Sequence, residues 1–170
     1  MTWAAYGALV EDLVSAIRSA SYEPTCIVGV ARGGLPVATS LAAQLKVDNI
    51  QVVSVARTVD DRVYAAKENP VLRFRSFERL DNQRVLVAED IVGTGETWRF
   101  VDALVRAAGA VSCECAALAS SVHAAPAPRF AGRITDEWVV FPWESPPDAK
   151  RSVVSAGHGP TCSGLPTGKS

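Results

Sequence analysis

The stretch that decides the fold of this 170-residue chain is VLVAEDIVGTGET, residues 85–97. Its apolar start, residues 85–88, predicts a buried parallel strand. From Thr97 onward, apolar residues recur at helical spacing until Gly109, a typical helix stop. The segment therefore joins a strand to a helix. Free backbone N–H groups at the start of that helix form a candidate phosphate cradle.

Two adjacent carboxylates, Glu89 and Asp90, follow the predicted strand. The carboxyl ends of parallel strands are where open α/β sheets bind ligands. Ionised carboxylates accept hydrogen bonds or hold a cation, so a sugar diol suits this pair. Thr94 and Thr97 add hydroxyl donors beside the cradle. A phosphate cradle next to a diol-binding pair predicts a site for a ribose 5-phosphate.

Gly93 and Gly95 allow the backbone of this loop to approach a ligand closely, but they do not belong to the other common phosphate motifs. A dinucleotide fingerprint would need a third glycine where Trp98 stands, and no Gly-Lys-Ser/Thr follows as in a P-loop. A merely well-capped helix would explain Thr94 but neither the two glycines nor the two acids.

The rest of the chain alternates predicted strands and helices, which indicates an α/β fold with a mainly parallel central sheet flanked by helices. The predicted helices are residues 3–20, 37–45 and 97–108, and the predicted strands are residues 26–30, 50–56, 85–88, 111–119 and 138–141. Residues 57–81 form a long excursion, in which the alternation at residues 72–75 suggests a strand with a basic face. Residues 145–170 are rich in Ser, Pro and Gly, so we expect one domain over residues 1–144 and a disordered tail.

Composition fits a soluble protein that can bury a core without disulfide bonds or structural metal ions, because 48% of the residues are hydrophobic. A net charge of −1 gives no general attraction to nucleic acid or anionic membranes. Neither an 18-residue apolar run nor a signal peptide is visible, so we expect a cytoplasmic location. Cys26, Cys113, Cys115 and Cys162 show neither a disulfide framework nor zinc spacing, and we interpret them as small apolar residues.

Three segments resemble motifs of one known family. Residues 85–97 closely resemble the phosphoribosyl-pyrophosphate (PRPP) signature of type I phosphoribosyltransferases: apolar strand, two acids, two apolar residues, any residue, Thr-Gly, any residue, Thr. Residues 27–45, IVGVARGGLPVATSLAAQL, resemble the pyrophosphate loop of the xanthine-guanine and hypoxanthine branch and its archaeal relatives. Residues 138–144, WVVFPWE, resemble the base-binding end of that branch. The resemblance implies the type I phosphoribosyltransferase fold, with a flexible hood at residues 57–81 that closes over PRPP.

The resemblance also implies an activity: transfer of ribose 5-phosphate from PRPP to a purine-like or related heteroaromatic base, with release of pyrophosphate. Glu89 and Asp90 would orient the ribose hydroxyls, and Arg32 would clamp the pyrophosphate, as the catalytic residues. Mg²⁺ is the implied cofactor, bound through substrate oxygens and water, with the two acids as the candidate protein ligands. Trp138 would stack on the base, and we expect a homodimer or homotetramer. The implied substrate-binding residues are Ala31, Gly33, Gly34, Arg57, Ile91, Val92, Gly93, Thr94, Gly95, Glu96, Thr97, Trp138 and Val139.

Two departures from the family pattern concern the acceptor. The family commonly has an aspartate before Thr-Gly, where this chain has Gly93, and a lysine near Ser120, where this chain has none. His123 is a candidate substitute, although an ordinary surface histidine explains it as well. Two alternatives therefore stay open: a catalytically inactive PRPP-sensing regulator, and a PRPP-using biosynthetic enzyme whose acceptor is not a nucleobase. The enzyme is favoured because too few residues precede the first predicted strand for a DNA-binding domain.

Overall fold

Strands and helices alternate along the chain in the computed structural model, which describes residues 1–58 and 67–144. The helices are α1 (Trp3–Ser19), α2 (Gly34–Leu45) and α3 (Glu96–Ala107). The strands are β1 (Cys26–Ala31), β2 (Ile50–Thr58), β3 (Lys67–Arg75), β4 (Arg84–Val92), β5 (Ser112–Ser120) and β6 (Phe130–Ile134). Within these described ranges, no helix is long and apolar enough to cross a membrane.

The strands form one six-stranded sheet in the order β3-β2-β1-β4-β5-β6. All neighbours are parallel except β2 and β3, which are antiparallel. The predicted α/β class with a mainly parallel sheet is therefore confirmed. Strands β1 and β4 lie side by side, and the chain builds the sheet outward from them in opposite directions. This reversal is the topological switch point at which doubly wound sheets bind ligands.

The central strand β4 is buried on both faces of the sheet. Leu86 and Ala88 pack with α1 and α2 on one face, while Val85 and Val87 pack with α3 on the other. Side chains alternate between the two faces of a strand, so a strand covered on both sides needs apolar residues at every position. This explains the continuous apolar run from which the sequence predicted a buried strand.

Near the end of the described residues, the structure differs from the sequence prediction in two places: one predicted strand is absent, and one observed strand was not predicted. The predicted strand at residues 138–141 is wrong, because that segment is irregular and the final described strand is β6. The apolar character of the segment has another cause: Phe141 is buried in the α1–α2 core, and Val139 packs against it. Strand β6 escaped prediction because it is an edge strand in which only Phe130 is fully buried, so no apolar alternation marks it.

The residues predicted to form the hood fall into different parts of the structure. Arg57 lies in β2, and residues 67–75 form the antiparallel edge strand β3. Phe77 and Leu80 are buried against the α3 face of the sheet. Residues 59–66 of the hood and the predicted tail, residues 145–170, lie outside the described residues.

Three of the four cysteines are buried strand residues, as the sequence predicts. Cys26 lies in β1, and Cys113 and Cys115 lie in β5; none of the three is in a disulfide. Burial raises the pKa of the Cys26 thiol to about 11, so this thiol stays protonated and unreactive at neutral pH. These residues act as small apolar side chains in the sheet.

Candidate functional site

A crevice opens where β1 and β4 end. The loop after β1 leads to α2 on one face of the sheet, and the loop after β4 leads to α3 on the opposite face. Because the two connections diverge, they leave a cleft between the strand ends, which is the usual ligand site of this topology. Glu89 and Asp90 lie near the end of β4, beside this cleft. The structure thus brings both predicted Gly-rich loops to the two predicted carboxylates.

The first loop, residues 31–35, packs directly against the acidic pair. Gly33 caps α2, and a Cβ atom at this position would overlap the Asp90 carboxylate. A Cβ atom at Gly34 would likewise overlap the Ala88 carbonyl oxygen. Arg32 is exposed, and the peptide bond that precedes it is cis. Both glycines are therefore needed for close contact between this loop and β4, and they place the first turn of α2 beside the carboxylates.

The second loop, residues 93–97, lines a small open pocket at the start of α3. Gly95 caps the helix with φ +86°, a left-handed conformation that favours glycine. The Glu96 backbone N–H donates a long hydrogen bond of 3.5 Å to Thr94 Oγ1. The pocket is lined by Glu89, Ile91, Val92, Gly93, Thr94, Gly95, Thr97 and Trp98. Every lining residue except Trp98 was predicted as a site residue from the sequence.

The two carboxylates differ in their surroundings. Glu89 is buried, with 6% of its surface exposed, and it lines the pocket of the second loop. Asp90 accepts a 2.8 Å hydrogen bond at Oδ1 from the Ile91 backbone N–H. Burial raises the pKa of Asp90 to about 6, and the negative charge of Glu144 adds to this increase. Asp90 is therefore mostly ionised at neutral pH and becomes protonated in mildly acidic solution.

Glu144 was not among the predicted site residues. Its carboxylate Oε2 accepts a 3.0 Å hydrogen bond from the Phe141 backbone N–H, which closes a turn at the end of the described chain. Its electrostatic effect on Asp90 places this turn near the acidic pair. The sequence signal was weak, because Glu144 is simply the last residue of the segment that resembles the family's base-binding end.

The aromatic residues of that segment divide into buried and exposed ones. Phe141 and Trp143 stack with ring centroids 5.1 Å apart, and Trp143 also meets Tyr6 of α1 edge to face. Both residues pack onto the core formed with α1 and α2. Trp138 is 62% exposed, so it is not a core tryptophan. Tryptophan at such an exposed position, on a segment that ends near Asp90, is a candidate for stacking on a planar ligand.

The donor set around the crevice fits a magnesium ion shared with a substrate. Mg²⁺ prefers oxygen ligands, keeps several waters, and is usually held by one or two carboxylates plus substrate phosphates. Glu89 and Asp90 supply such carboxylates. In residues 1–58 and 67–144 no group of three or more His, Cys, Asp or Glu residues could hold a metal ion on its own. A magnesium ion here would therefore depend on ligand oxygens.

Arg57 and His123 are the two sequence candidates that lie outside these loops and outside the segment that ends at Glu144. Arg57 lies in β2, and its predicted pyrophosphate contact stays a prediction. His123 is exposed, with Nε2 3.7 Å from Asp136 Oδ2, and its backbone N–H donates to Ser121 Oγ. Ser121 Oγ in turn donates a 2.7 Å hydrogen bond to Asp136 Oδ1. These bonds account for His123 as part of the turn after β5.

Comparison with known proteins identifies the family. Residues 2–150 match the phosphoribosyl transferase domain family. This chain belongs to the phosphoribosyltransferase family. The chain is 30% identical to the purine phosphoribosyltransferase of Pyrococcus horikoshii, with a TM-score of 0.75 over 86% of this chain and 94% of that one. The predicted membership of the type I family, near its hypoxanthine-type branch, is confirmed.

Two more distant solved structures share the fold of this phosphoribosyltransferase. A hypothetical protein from Neisseria gonorrhoeae with bound ppGpp is 20% identical, with a TM-score of 0.72 over 85% of this chain and 88% of that one. A hypoxanthine phosphoribosyltransferase from Staphylococcus aureus is 17% identical, with a TM-score of 0.57 over 74% of each chain.

A regulator is also similar to this chain. The transcriptional regulator GfcR of Methanococcoides burtonii is 20% identical over 117 residues, which are 69% of this chain and 55% of the regulator. The chain thus spans about half the length of this curated relative.

Proposed function

We propose that this protein transfers ribose 5-phosphate from PRPP to a purine-like or related heteroaromatic base and releases pyrophosphate. One observation carries the proposal: Glu89 and Asp90 lie between two Gly-rich loops that each open a helix, at the switch point of the sheet. PRPP has the matching arrangement, because its ribose diol lies between a phosphate on C5 and a diphosphate on C1.

Each part of the crevice then has a role. The amides and hydroxyls of residues 93–97 bind the 5-phosphate at the positive end of the α3 dipole. The two carboxylates accept hydrogen bonds from the ribose 2- and 3-hydroxyls, each worth about 1.5–3 kcal/mol as a bond to a charged group. Arg32, at the start of α2, clamps the pyrophosphate, with the bidentate geometry that favours arginine for this task.

The reaction is a displacement at ribose C1. The bond between C1 and the pyrophosphate oxygen breaks, and its electron pair leaves with the pyrophosphate. A ring nitrogen of the base forms the new bond to C1, and the proton of that nitrogen passes to solvent. Positive charge grows on the ribose ring as the old bond weakens, and the nearby carboxylates of Glu89 and Asp90 stabilise that charge. Bound Mg²⁺ would neutralise charge on the diphosphate.

The acceptor is proposed to stack on Trp138. Stacking of a base on an aromatic side chain is worth about 1–3 kcal/mol and tolerates many bases. Trp138, which is 62% exposed, therefore supports a planar heteroaromatic acceptor without choosing among bases. The expected cytoplasmic location, the homodimer or homotetramer, and the domain limit at residue 144 remain parts of this proposal.

The similarity to GfcR favours a second candidate function. In that case the same crevice binds PRPP, and the protein acts as a PRPP-sensing regulator without turnover. A PRPP-using enzyme with a non-nucleobase acceptor is the third candidate, since Gly93 and the missing lysine leave the acceptor side least like that of the purine enzymes.

A single set of assays separates these candidates. The protein is incubated with PRPP, MgCl₂ and, in turn, hypoxanthine, guanine, xanthine or adenine; pyrophosphate release and nucleotide mass are measured. Nucleotide formation with a base supports the proposal, and the near-isosteric Glu89→Gln/Asp90→Asn variant serves as the control that should lose it. Calorimetric PRPP binding without product from any base favours the regulator or the third candidate. Absence of PRPP binding refutes the crevice as a PRPP site.

A further inference from the structure

The loop that joins β5 to β6, residues 121–129, packs behind the phosphate loop at residues 93–97. The Ala125 backbone N–H donates a 3.0 Å hydrogen bond to the Thr94 carbonyl oxygen. Gly95 is buried, and a Cβ atom at this position would lie 2.5 Å from the Pro126 carbonyl oxygen and 2.8 Å from the Ala125 carbonyl carbon. The backbone of Ala125 and Pro126 thus packs directly against the phosphate loop.

Arg99 of α3 links the phosphate loop to the β5–β6 loop. Its backbone N–H donates a 2.8 Å hydrogen bond to the Gly95 carbonyl oxygen in the first turn of the helix. Its guanidinium Nη2 donates a 2.7 Å hydrogen bond to the Ala125 carbonyl oxygen. Ala125 therefore contacts Thr94 through its N–H and Arg99 through its carbonyl oxygen. The side chain of Arg99 is exposed, so its removal would leave the core intact.

We propose that Arg99 is a positioning residue of the phosphate site: it holds the β5–β6 loop against residues 93–97 and keeps their amides aimed at the ligand. This inference rests on the proposed function, in which these amides bind the 5-phosphate of PRPP. When the loop is already ordered before the ligand binds, no conformational entropy is lost on binding to order it. Loss of the Arg99–Ala125 hydrogen bond, which we call the brace, therefore weakens binding without removing a ligand contact. Arg99 acts through Ala125 and touches no reacting atom.

Arg106 provides a matched control on the same helix. It is also exposed, it pairs with Asp102 at 2.8 Å, and its Nη2 donates to the Cys113 carbonyl oxygen at 3.2 Å. Arg106→Ala therefore removes the same charge and a comparable backbone contact two turns away from the loop. Arg99→Lys keeps a cationic donor of similar reach and tests for partial rescue.

The experiment combines two measurements on Arg99→Ala, Arg99→Lys and Arg106→Ala. Hydrogen exchange in the ligand-free protein, read by mass spectrometry, reports the order of residues 94–97. Calorimetry reports the affinity for ribose 5-phosphate. We expect Arg99→Ala to speed exchange of these loop amides about tenfold and to raise the Kd about tenfold, which is about 1.4 kcal/mol. Arg99→Lys should lie between Arg99→Ala and the wild type, and Arg106→Ala should match the wild type.

The possible outcomes distinguish a positioning role of Arg99 from a direct phosphate contact and from general destabilisation of the fold. Unchanged loop exchange in Arg99→Ala overturns the proposal, and a lower affinity with unchanged exchange would instead make Arg99 a direct phosphate ligand. Faster exchange throughout α1 and β5 would show general destabilisation and also overturn it. If loop exchange rises as expected but the wild-type protein does not bind ribose 5-phosphate, the brace stands and the proposed function fails.

Discussion

Replacing Gly33 by Ala tests the contact between the first loop and the acidic pair. Gly33 has φ −65° and ψ −29°, a helical conformation that alanine adopts without strain. The new methyl group would overlap the Asp90 carboxylate. Asp90 must therefore rotate away, which breaks its 2.8 Å hydrogen bond to the Ile91 N–H and removes it from the ribose diol. The substitution displaces the Asp90 side chain by steric overlap and does not replace its carboxylate.

The size of the effect follows from the bonds that are lost. One hydrogen bond between Asp90 and a ribose hydroxyl is worth about 1.5–3 kcal/mol, so the Kd for ribose 5-phosphate should rise about 10- to 150-fold. The free energy of unfolding should change by less than about 2 kcal/mol, because the lower backbone entropy of alanine in the unfolded chain partly offsets the lost bond to Ile91. Gly34→Ala differs, since its methyl group would overlap the rigid Ala88 carbonyl, and it should destabilise the fold by about 3 kcal/mol.

The assay is calorimetry with ribose 5-phosphate and Mg²⁺, which avoids any direct clash between the new methyl group and a pyrophosphate. Gly33→Ala is measured in the wild-type protein and in Asp90→Ala, where the methyl group has no carboxylate to displace. We expect a large loss of affinity in the first background and almost none in the second, a non-additive double-mutant cycle. Equal losses in both backgrounds, or no loss in the wild-type background, would refute the packing argument.

Three further predictions concern the leaving group, the acceptor and pH. Arg32→Ala should lower turnover with PRPP about 100-fold while ribose 5-phosphate still binds normally; equal weakening of both would make Arg32 structural. Trp138→Ala should raise the KM of the base about tenfold at an unchanged melting temperature, whereas a large drop in melting temperature would place Trp138 in the core. Because the Asp90 pKa is about 6, lowering the pH from 8 to 5 protonates this acceptor and should weaken ribose 5-phosphate binding about tenfold. Asp90→Asn should show only the titration of the ligand's own phosphate, and an identical pH profile in both proteins would contradict the assignment.

Local patterns were enough to predict most of the fold. The continuous apolar run of β4 predicts a strand covered on both faces, and the helical spacing after Thr97 predicts α3 within a residue of its observed start at Glu96. Edge elements were harder to predict. Strand β6 has one fully buried residue and no alternation, while residues 138–141 are apolar because they pack as an irregular segment onto α1 and α2.

The site was predictable where its residues are neighbours in sequence. Seven of the eight residues that line the pocket at the second loop are candidates named from the sequence, because this loop is one continuous segment; their role in binding phosphate stays a prediction. Glu144 and Arg99 were not among the candidates, because their roles depend on distant residues: Glu144 acts on Asp90, and Arg99 binds Ala125 in another loop. Spacing along the chain contains no information on such contacts.

The sequence by itself determined the alternation of strands and helices, the two Gly-rich loops and the acidic pair, since each depends on backbone propensity and side-chain chemistry within a few residues. Only the tertiary structure decided that Gly33 packs against Asp90, that burial raises the Asp90 pKa to about 6, and that Trp138 is exposed while Phe141 is buried. These properties arise from which groups the sheet brings together and from how much water they lose. Solvent exclusion and close approach are set by the packing of the whole domain, so no local pattern could reveal them.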